Sequence, residues 1–179
     1  MKHDVVTTQA TIETERFNLR PVRHSDVGML EMHAGDERVA RMTRTIPHPL
    51  PPGATDAFIA RAQDPARSED VWVMDGSKSG LGEVLGCIGL ERMDRGQSEI
   101  AFWVVPGFWG SGIATEAVGA LISSNPLKCS TIFAAVFQDN PASVRLLQNL
   151  GFSYIGEAEY HSVARDALVP TWTYIKKMA

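Results

Sequence analysis

Apolar positions alternate in FNLRPV, residues 17–22, which predicts a first strand. In HSDVGMLEMHAG the spacing becomes helical: Val27, Leu30 and Met32 form an apolar stripe, with Ser25 or Asp26 placed to cap it. IPHPLPPG, residues 46–53, is dense in proline and predicts loop. ATDAFIARAQ returns to helical spacing, with Thr55 or Asp56 as its cap. VWVMDG and VLGCIGLERM predict two strands of a hairpin. SEIAFWVV, residues 98–105, alternates and sets Ile100, Phe102 and Val104 on one face. After a glycine turn, Ile113, Ala117, Ala120 and Leu121 share one face of a helix. STIFAAVF, residues 130–137, is almost continuously apolar, the pattern of a central strand buried on both faces. DNPASVRLLQNLGF carries its own helix boundaries: Asn140 as N-cap, Pro141 as first helical residue and Gly151 just past the end. VPTWTYIKKM supplies a closing strand.

This order predicts one mixed α/β domain over residues 1–179, with residues 1–13 as an N-terminal extension. No internal repeat or interdomain linker interrupts it. The length suffices for a sizeable core, and 44% apolar with 21% charged residues is ordinary for a globular protein. The net charge of −4 weighs against a nucleic-acid partner. No apolar run approaches the ~20 residues that span a membrane, and the N-terminus lacks the apolar core of a signal peptide. A cytoplasmic location is therefore expected. Cys87 and Cys129 make neither a disulfide framework nor a zinc site, and His24, His33 and His48 share no metal-ligand spacing, so no metal is expected.

PGFWGSGIATEA, residues 106–117, is where strand passes into helix through an uncharged, glycine-bearing turn. A helix start leaves about four N–H groups without intrahelical partners, and the helix dipole favours an anion there. Glycine lets a ligand approach the backbone, and the Ser111 hydroxyl offers a further donor. The turn lacks the lysine of a Walker A loop, and Thr115 stands where a dinucleotide fingerprint has its third glycine or alanine. A plain tight turn is the alternative.

Trp109-Gly110-Ser111-Gly112-Ile113-Ala114 resembles the Q/R-x-x-G-x-G/A signature of the GNAT (Gcn5-related) N-acetyltransferases. FWGSGIATEA is close to the YWGxGxATEA form common in that family's Rim-type branch, the protein N-terminal acetyltransferases; Trp109 stands where the wider family has Gln or Arg. DNPASVRLLQNLGF resembles the branch's NxxSxxxLxxLGF block, and TERFNLRPVRHSDV its opening segment. The resemblance implies an α/β (α+β) fold: one mixed, mostly antiparallel central sheet with splayed fourth and fifth strands, flanked by helices. It implies acetyl-CoA as donor and an amine as acceptor, in a monomer or homodimer with neither nucleic acid nor membrane as partner. The pyrophosphate would sit on the N–H groups of Gly110, Ser111, Gly112, Ile113, Ala114 and Thr115. The pantetheine would lie between strands 98–105 and 130–137, pairing with backbone near Trp103, Val104 and Val105. Asn140 would bond that arm, beside its alternative as an N-cap.

Attack on a thioester needs a neutral amine. An α-amine has a pKa of about 8 against about 10.4 for lysine, so one carboxylate acting through a water suffices for it. Glu99, on the strand lining the cleft, is the first candidate base, with a solvated strand-edge glutamate as the alternative; Glu157, Glu159 and His161 follow. Many family members carry a tyrosine acid seven residues after the asparagine; here that residue is Leu147. Ser143, one turn after Asn140, is the branch's serine and the candidate for steadying the leaving sulfur, or else it bonds its own backbone. Arg38, Arg41 and Arg44 are spaced to meet an acidic peptide or to form a solvated face, and Trp72, Trp103 and Trp172 to wall a slot or fill the core. An acyl-CoA sensor without turnover is the non-enzyme alternative, and an enzyme acetylating a polyamine or an antibiotic amine the other.

Overall fold

The computed structural model describes residues 9–179. One eight-stranded sheet organises them. Its strands are β1 (Ile12–Glu13), β2 (Asn18–Pro21), β3 (Glu69–Asp75), β4 (Gly86–Arg92), β5 (Gln97–Val104), β6 (Thr131–Phe137), β7 (Ser153–Ser162) and β8 (Ala167–Lys177). The spatial order is β1-β2-β3-β4-β5-β6-β8-β7, antiparallel throughout except for the β5–β6 seam. The helices are α1 (Val27–Ala34), α2 (Glu37–Ala40), α3 (Ala54–Gln63), α4 (Ile113–Ser124) and α5 (Pro141–Asn149).

Alternation along the strands divides the core between the two faces. On one, Trp72, Ile88, Ile100 and Ile132 pack with Ile113 and Leu121 of α4 and Leu147 of α5. On the other, Val71, Val73 and Cys87 pack with Leu30 of α1 and Ile59 of α3. The mixed, mostly antiparallel sheet flanked by helices agrees with the expected fold.

Several local expectations need correction. β6 is not buried evenly on both faces: Ile132, Ala134 and Val136 are covered on one, whereas on the other Phe137 is covered but Phe133 and Ala135 are half-buried, with Ala135 lining a cleft. Asp26 is not a simple helix cap. It is buried, accepts from the Arg23 backbone N–H at 2.8 Å, and takes the Arg20 guanidinium at 2.8 and 2.9 Å. Gly53, in the left-handed region at φ +80°, caps α3 in place of Thr55 or Asp56. Residues 153–162 form an edge strand that their mixed, largely exposed pattern did not announce. Of the expected N-terminal extension, residues 1–8 lie outside the described residues, and Ile12–Glu13 pairs with β2 as a short edge strand.

Candidate active site

The parallel seam is where the sheet opens. β5 keeps seven residue pairs with β4 and β6 keeps seven with β8. β5 and β6 meet only at Gln97↔Thr131, Ser98↔Ile132 and Glu99↔Phe133. Each strand follows its antiparallel partner, so beyond Glu99 and Phe133 the two part. A cavity of about 810 Å³ occupies this wedge and reaches from the first turn of α4, past Ala134 and Ser143, to Glu69 and Arg61.

At one end of the cavity is the glycine turn. Gly110 and Gly112 hold φ +77° and +80°, a region that L side chains enter at a cost. A Cβ on Gly110 would meet nothing within 4 Å, so this backbone faces open space. Gly112 is the α4 N-cap and supplies no side-chain cap. Glu116 makes the first bond of the helix, donating its N–H to the Gly112 carbonyl at 3.0 Å. Among the described residues the N–H groups of Gly110, Gly112, Ile113, Ala114 and Thr115 have no protein acceptor. Such a set of free N–H groups at a helix start could receive an anion. Arg16 braces the turn from the side: its guanidinium donates to Glu116 at 2.7 Å and to the Ser111 carbonyl at 2.8 Å. Burial pushes the Glu116 carboxyl up, but the hydrogen bonds from Arg16 outweigh burial and hold it below its ordinary value.

Not every expected donor faces the cleft. The Ser111 hydroxyl turns inward to the Phe108 carbonyl, and its N–H donates to the same oxygen at 3.3 Å. The Val105 N–H donates to Leu85 at 2.8 Å, and the Val104 carbonyl accepts the indole N–H of the half-exposed Trp109 at 2.7 Å. Trp103 and Val104 line the cavity; Val105 is buried behind it.

Across the wedge, Asn140 caps α5 with its side-chain oxygen, accepting from the Ser143 N–H at 3.4 Å. Its amide N–H₂ has no acceptor among the described residues, and neither does the Ser143 hydroxyl. Asn140 therefore serves the cap with its acceptor and leaves its donor unused by the protein among the described residues. Leu147 is completely buried, so the position that would hold a tyrosine acid belongs to the core.

On the α1–α3 side, register assembles a row of carboxylates: Glu69 pairs with Glu91, and Glu91 with Glu99. Glu99 is ion-paired with Arg44, whose guanidinium also lies 4.3 Å from the centre of the Tyr160 ring. Glu69 leans across Gly89: a Cβ there would sit 3.1 Å from its carboxyl carbon. Burial pushes the Glu69 carboxyl above its ordinary value; Glu91 and Glu99 add to this, and Arg44 and Arg61 offset part of it. Glu69 was missed because no local pattern marks it; only the pairing of β3 with β4 places it at the cleft.

Glu157 and Glu159 are brought elsewhere, to a shallow groove with Gln138 and Pro170. His161 is exposed and lies 3.7 Å from Asp166. The three arginines disperse: Arg38 pairs with Asp36 at 2.7 Å, Arg41 is exposed, and Arg44 turns inward. Of the tryptophans, Trp72 is fully buried core, Trp103 walls the cavity and Trp172 packs against the core.

An open parallel seam ending on unpartnered N–H groups suits a long ligand that carries phosphate at one end and reacts at the other. An acyl-CoA is a ligand of that kind. The family model described as "Acetyltransferase (GNAT) domain" matches residues 16–153, and the chain belongs to this family of acetyl-CoA-dependent N-acetyltransferases. It is 26% identical over 175 residues to the uncharacterized N-acetyltransferase p20 of Bacillus licheniformis, covering 92% of this chain and 94% of that one. Among solved structures it is similar to the microcin C7 self-immunity acetyltransferase MccE in complex with acetyl-CoA and AMP. That match has a TM-score of 0.81 and 15% identity, covering 98% of this chain and 100% of that one. It is similar also to Mycobacterium smegmatis RimJ in complex with CoA-disulfide, with a TM-score of 0.79 and 18% identity over 94% of this chain and 87% of that one. Among the described residues no helix is long and apolar enough to cross a membrane, and no group of metal-ligating side chains converges.

Proposed function

We propose that the protein transfers the acetyl group of acetyl-CoA to an α-amine, either a protein N-terminus or a small molecule carrying one. The observation that carries the acceptor class is the cavity's supply of bases: among the described residues its lining offers the carboxylates Glu69 and Glu91 and no histidine. A carboxylate is a weak base, so the site suits an amine that is already partly neutral near pH 7.5. An α-amine of pKa about 8 meets that condition, and a lysine of about 10.4 does not. The FWGSGIATEA segment and the likeness to RimJ support the same reading.

In this reading the unpartnered N–H groups of Gly110 and Gly112 through Thr115 receive the pyrophosphate, and the backbone of Trp103 and Val104 flanks the pantetheine. The Asn140 amide donates to that arm, and the Ser143 hydroxyl donates to the leaving sulfur. The acetyl thioester supplies the electrophile, and a carboxylate of the Glu69–Glu91–Glu99 row receives the amine's proton. The cytoplasm, which supplies acetyl-CoA, is the compartment the reaction needs.

The test compares short peptides with a free N-terminus against the same peptides blocked there but carrying lysine. Free-thiol release is followed at pH 7.5 and the product site is located by mass spectrometry. Free N-termini should react faster. Acetylation confined to lysine side chains, or to a polyamine, would refute the acceptor class and leave the donor site intact.

A further inference from the structure

Three carboxylates stand in one row, and the structure separates their roles. The row crosses β3, β4 and β5 on the face that α1 and α3 cover, level with the last β5–β6 pair, Glu99↔Phe133. Glu99 is not free to take a proton from an amine, because Arg44 holds it and Tyr160 holds Arg44. Glu91 is exposed at the outer edge of the cavity. Glu69 is half-buried, lines the cavity, and has neither a hydrogen bond nor an ion pair among the described residues.

Its position is set by a missing side chain. Gly89 pairs with Val71 on β3 and with Ala101 on β5. The Glu69 carboxyl carbon and Oε2 would stand 3.1 and 3.3 Å from a Cβ at Gly89, so the carboxylate rests on bare backbone. Ala101 is the next residue on that face of β5 beyond Glu99, at the mouth of the splay. Neighbouring strands are about 4.8 Å apart, so the carboxylate lies roughly one strand spacing from the opening. That is the reach of one bridging water from an amine entering there.

We propose that Glu69 is the general base of the acetyl transfer, seated over Gly89, and that Glu99 acts as a positioning residue by holding Arg44. The inference rests on the acetyltransferase reading above. The ammonium gives a proton to a Glu69 carboxylate oxygen, and the neutral nitrogen's lone pair forms the N–C bond to the acetyl carbon. The C–S bond breaks with its electron pair on sulfur. The second nitrogen proton goes to the thiolate, and Glu69 returns its proton to solvent. The balance is one ammonium and one thioester in, one amide, one thiol and one proton out. Burial and the charges of Glu91 and Glu99 raise the Glu69 carboxyl, while Arg44 and Arg61 moderate the rise, so it titrates closer to neutrality than an ordinary glutamate.

The experiment measures kcat at saturating acceptor against pH for wild type, Glu69→Gln, Gly89→Ala and Glu99→Gln. The acceptor is an unblocked alanine-initiated peptide, and calorimetry with acetyl-CoA runs in parallel. Wild type should show an acidic limb above the ordinary glutamate value of about 4.3. Glu69→Gln should lose that limb and roughly 10²-fold or more in kcat near pH 7, with the deficit narrowing as pH rises through the amine's pKa. Gly89→Ala keeps the carboxylate but displaces it, and should lose part of the rate with acetyl-CoA affinity unchanged. Glu99→Gln should keep the limb. A Glu69→Gln protein with wild-type rate and profile overturns the inference, as does loss of the limb in Glu99→Gln instead. Acetyl-CoA binding that fails in wild type refutes the underlying reading on its own, independently of Glu69.

Discussion

Gly110→Glu is the sharpest probe of the donor site. The residue holds φ +77° and a side chain there would project into open space, so the substitution adds a charge without a clash. The left-handed backbone costs an L residue about 1–2 kcal/mol. At about 2–4 °C per kcal/mol for a chain of this size, the melting temperature should fall by about 2–8 °C and the fold should persist. Gly110→Ala carries the same backbone cost and no charge, which isolates the electrostatic effect. A carboxylate about 5 Å from a bound phosphate group repels it by about 3 kcal/mol at an effective dielectric constant near 20, or roughly 100-fold in affinity. Gly112 is the poorer site for this test. A Cβ there lies 3.4 Å from the Arg16 guanidinium, which would neutralise a new carboxylate. Titration calorimetry with acetyl-CoA should therefore rank wild type and Gly110→Ala close together and Gly110→Glu far weaker. Equal affinity in the two folded variants would refute the turn as the pyrophosphate seat.

Arg16→Ala should weaken acetyl-CoA binding several-fold by loosening the turn that the Arg16–Glu116 pair and the Ser111 carbonyl contact brace. The Glu116 carboxyl is held below its unfolded value, so its stabilisation is complete above about pH 4.3 and is lost as pH falls through the folded value. Calorimetric melting curves of wild type and Arg16→Ala should then differ at pH 7 and converge in acid; a gap independent of pH would exclude the ionic contribution. Asp26→Ala leaves the buried Arg20 with Asp75 as its remaining carboxylate partner and strips the acceptor from the Arg23 N–H, and should cost about 3–5 kcal/mol in urea unfolding. A loss below about 1 kcal/mol would show that this buried cluster is not a structural anchor.

The parts that were legible in the sequence are contiguous. A glycine turn and a helix start lie within PGFWGSGIATEA, and an asparagine, a proline and a terminal glycine bound α5, because capping and left-handed turns are settled by residues a few positions apart. Most strand and helix identities followed from periodicity for the same reason, β7 with its mixed pattern being an exception. Which strand face would be covered did not follow. STIFAAVF predicted burial on both sides, yet the β5–β6 seam, held by three pairs against seven on either side, opens, and Phe133 and Ala135 on one side are only half-buried. The roles of the charges were likewise beyond local reading. Arg44 could have joined Arg38 and Arg41 on a basic face; the tertiary structure turns it 55 residues along the chain to Glu99. Glu69, outside every motif, reaches the cleft through its pairing across β4, and Gly89 gives its carboxylate room. Short-range backbone geometry is written in neighbouring residues. Electrostatic partners and cleft walls depend on sheet register, which the whole set of strands decides together.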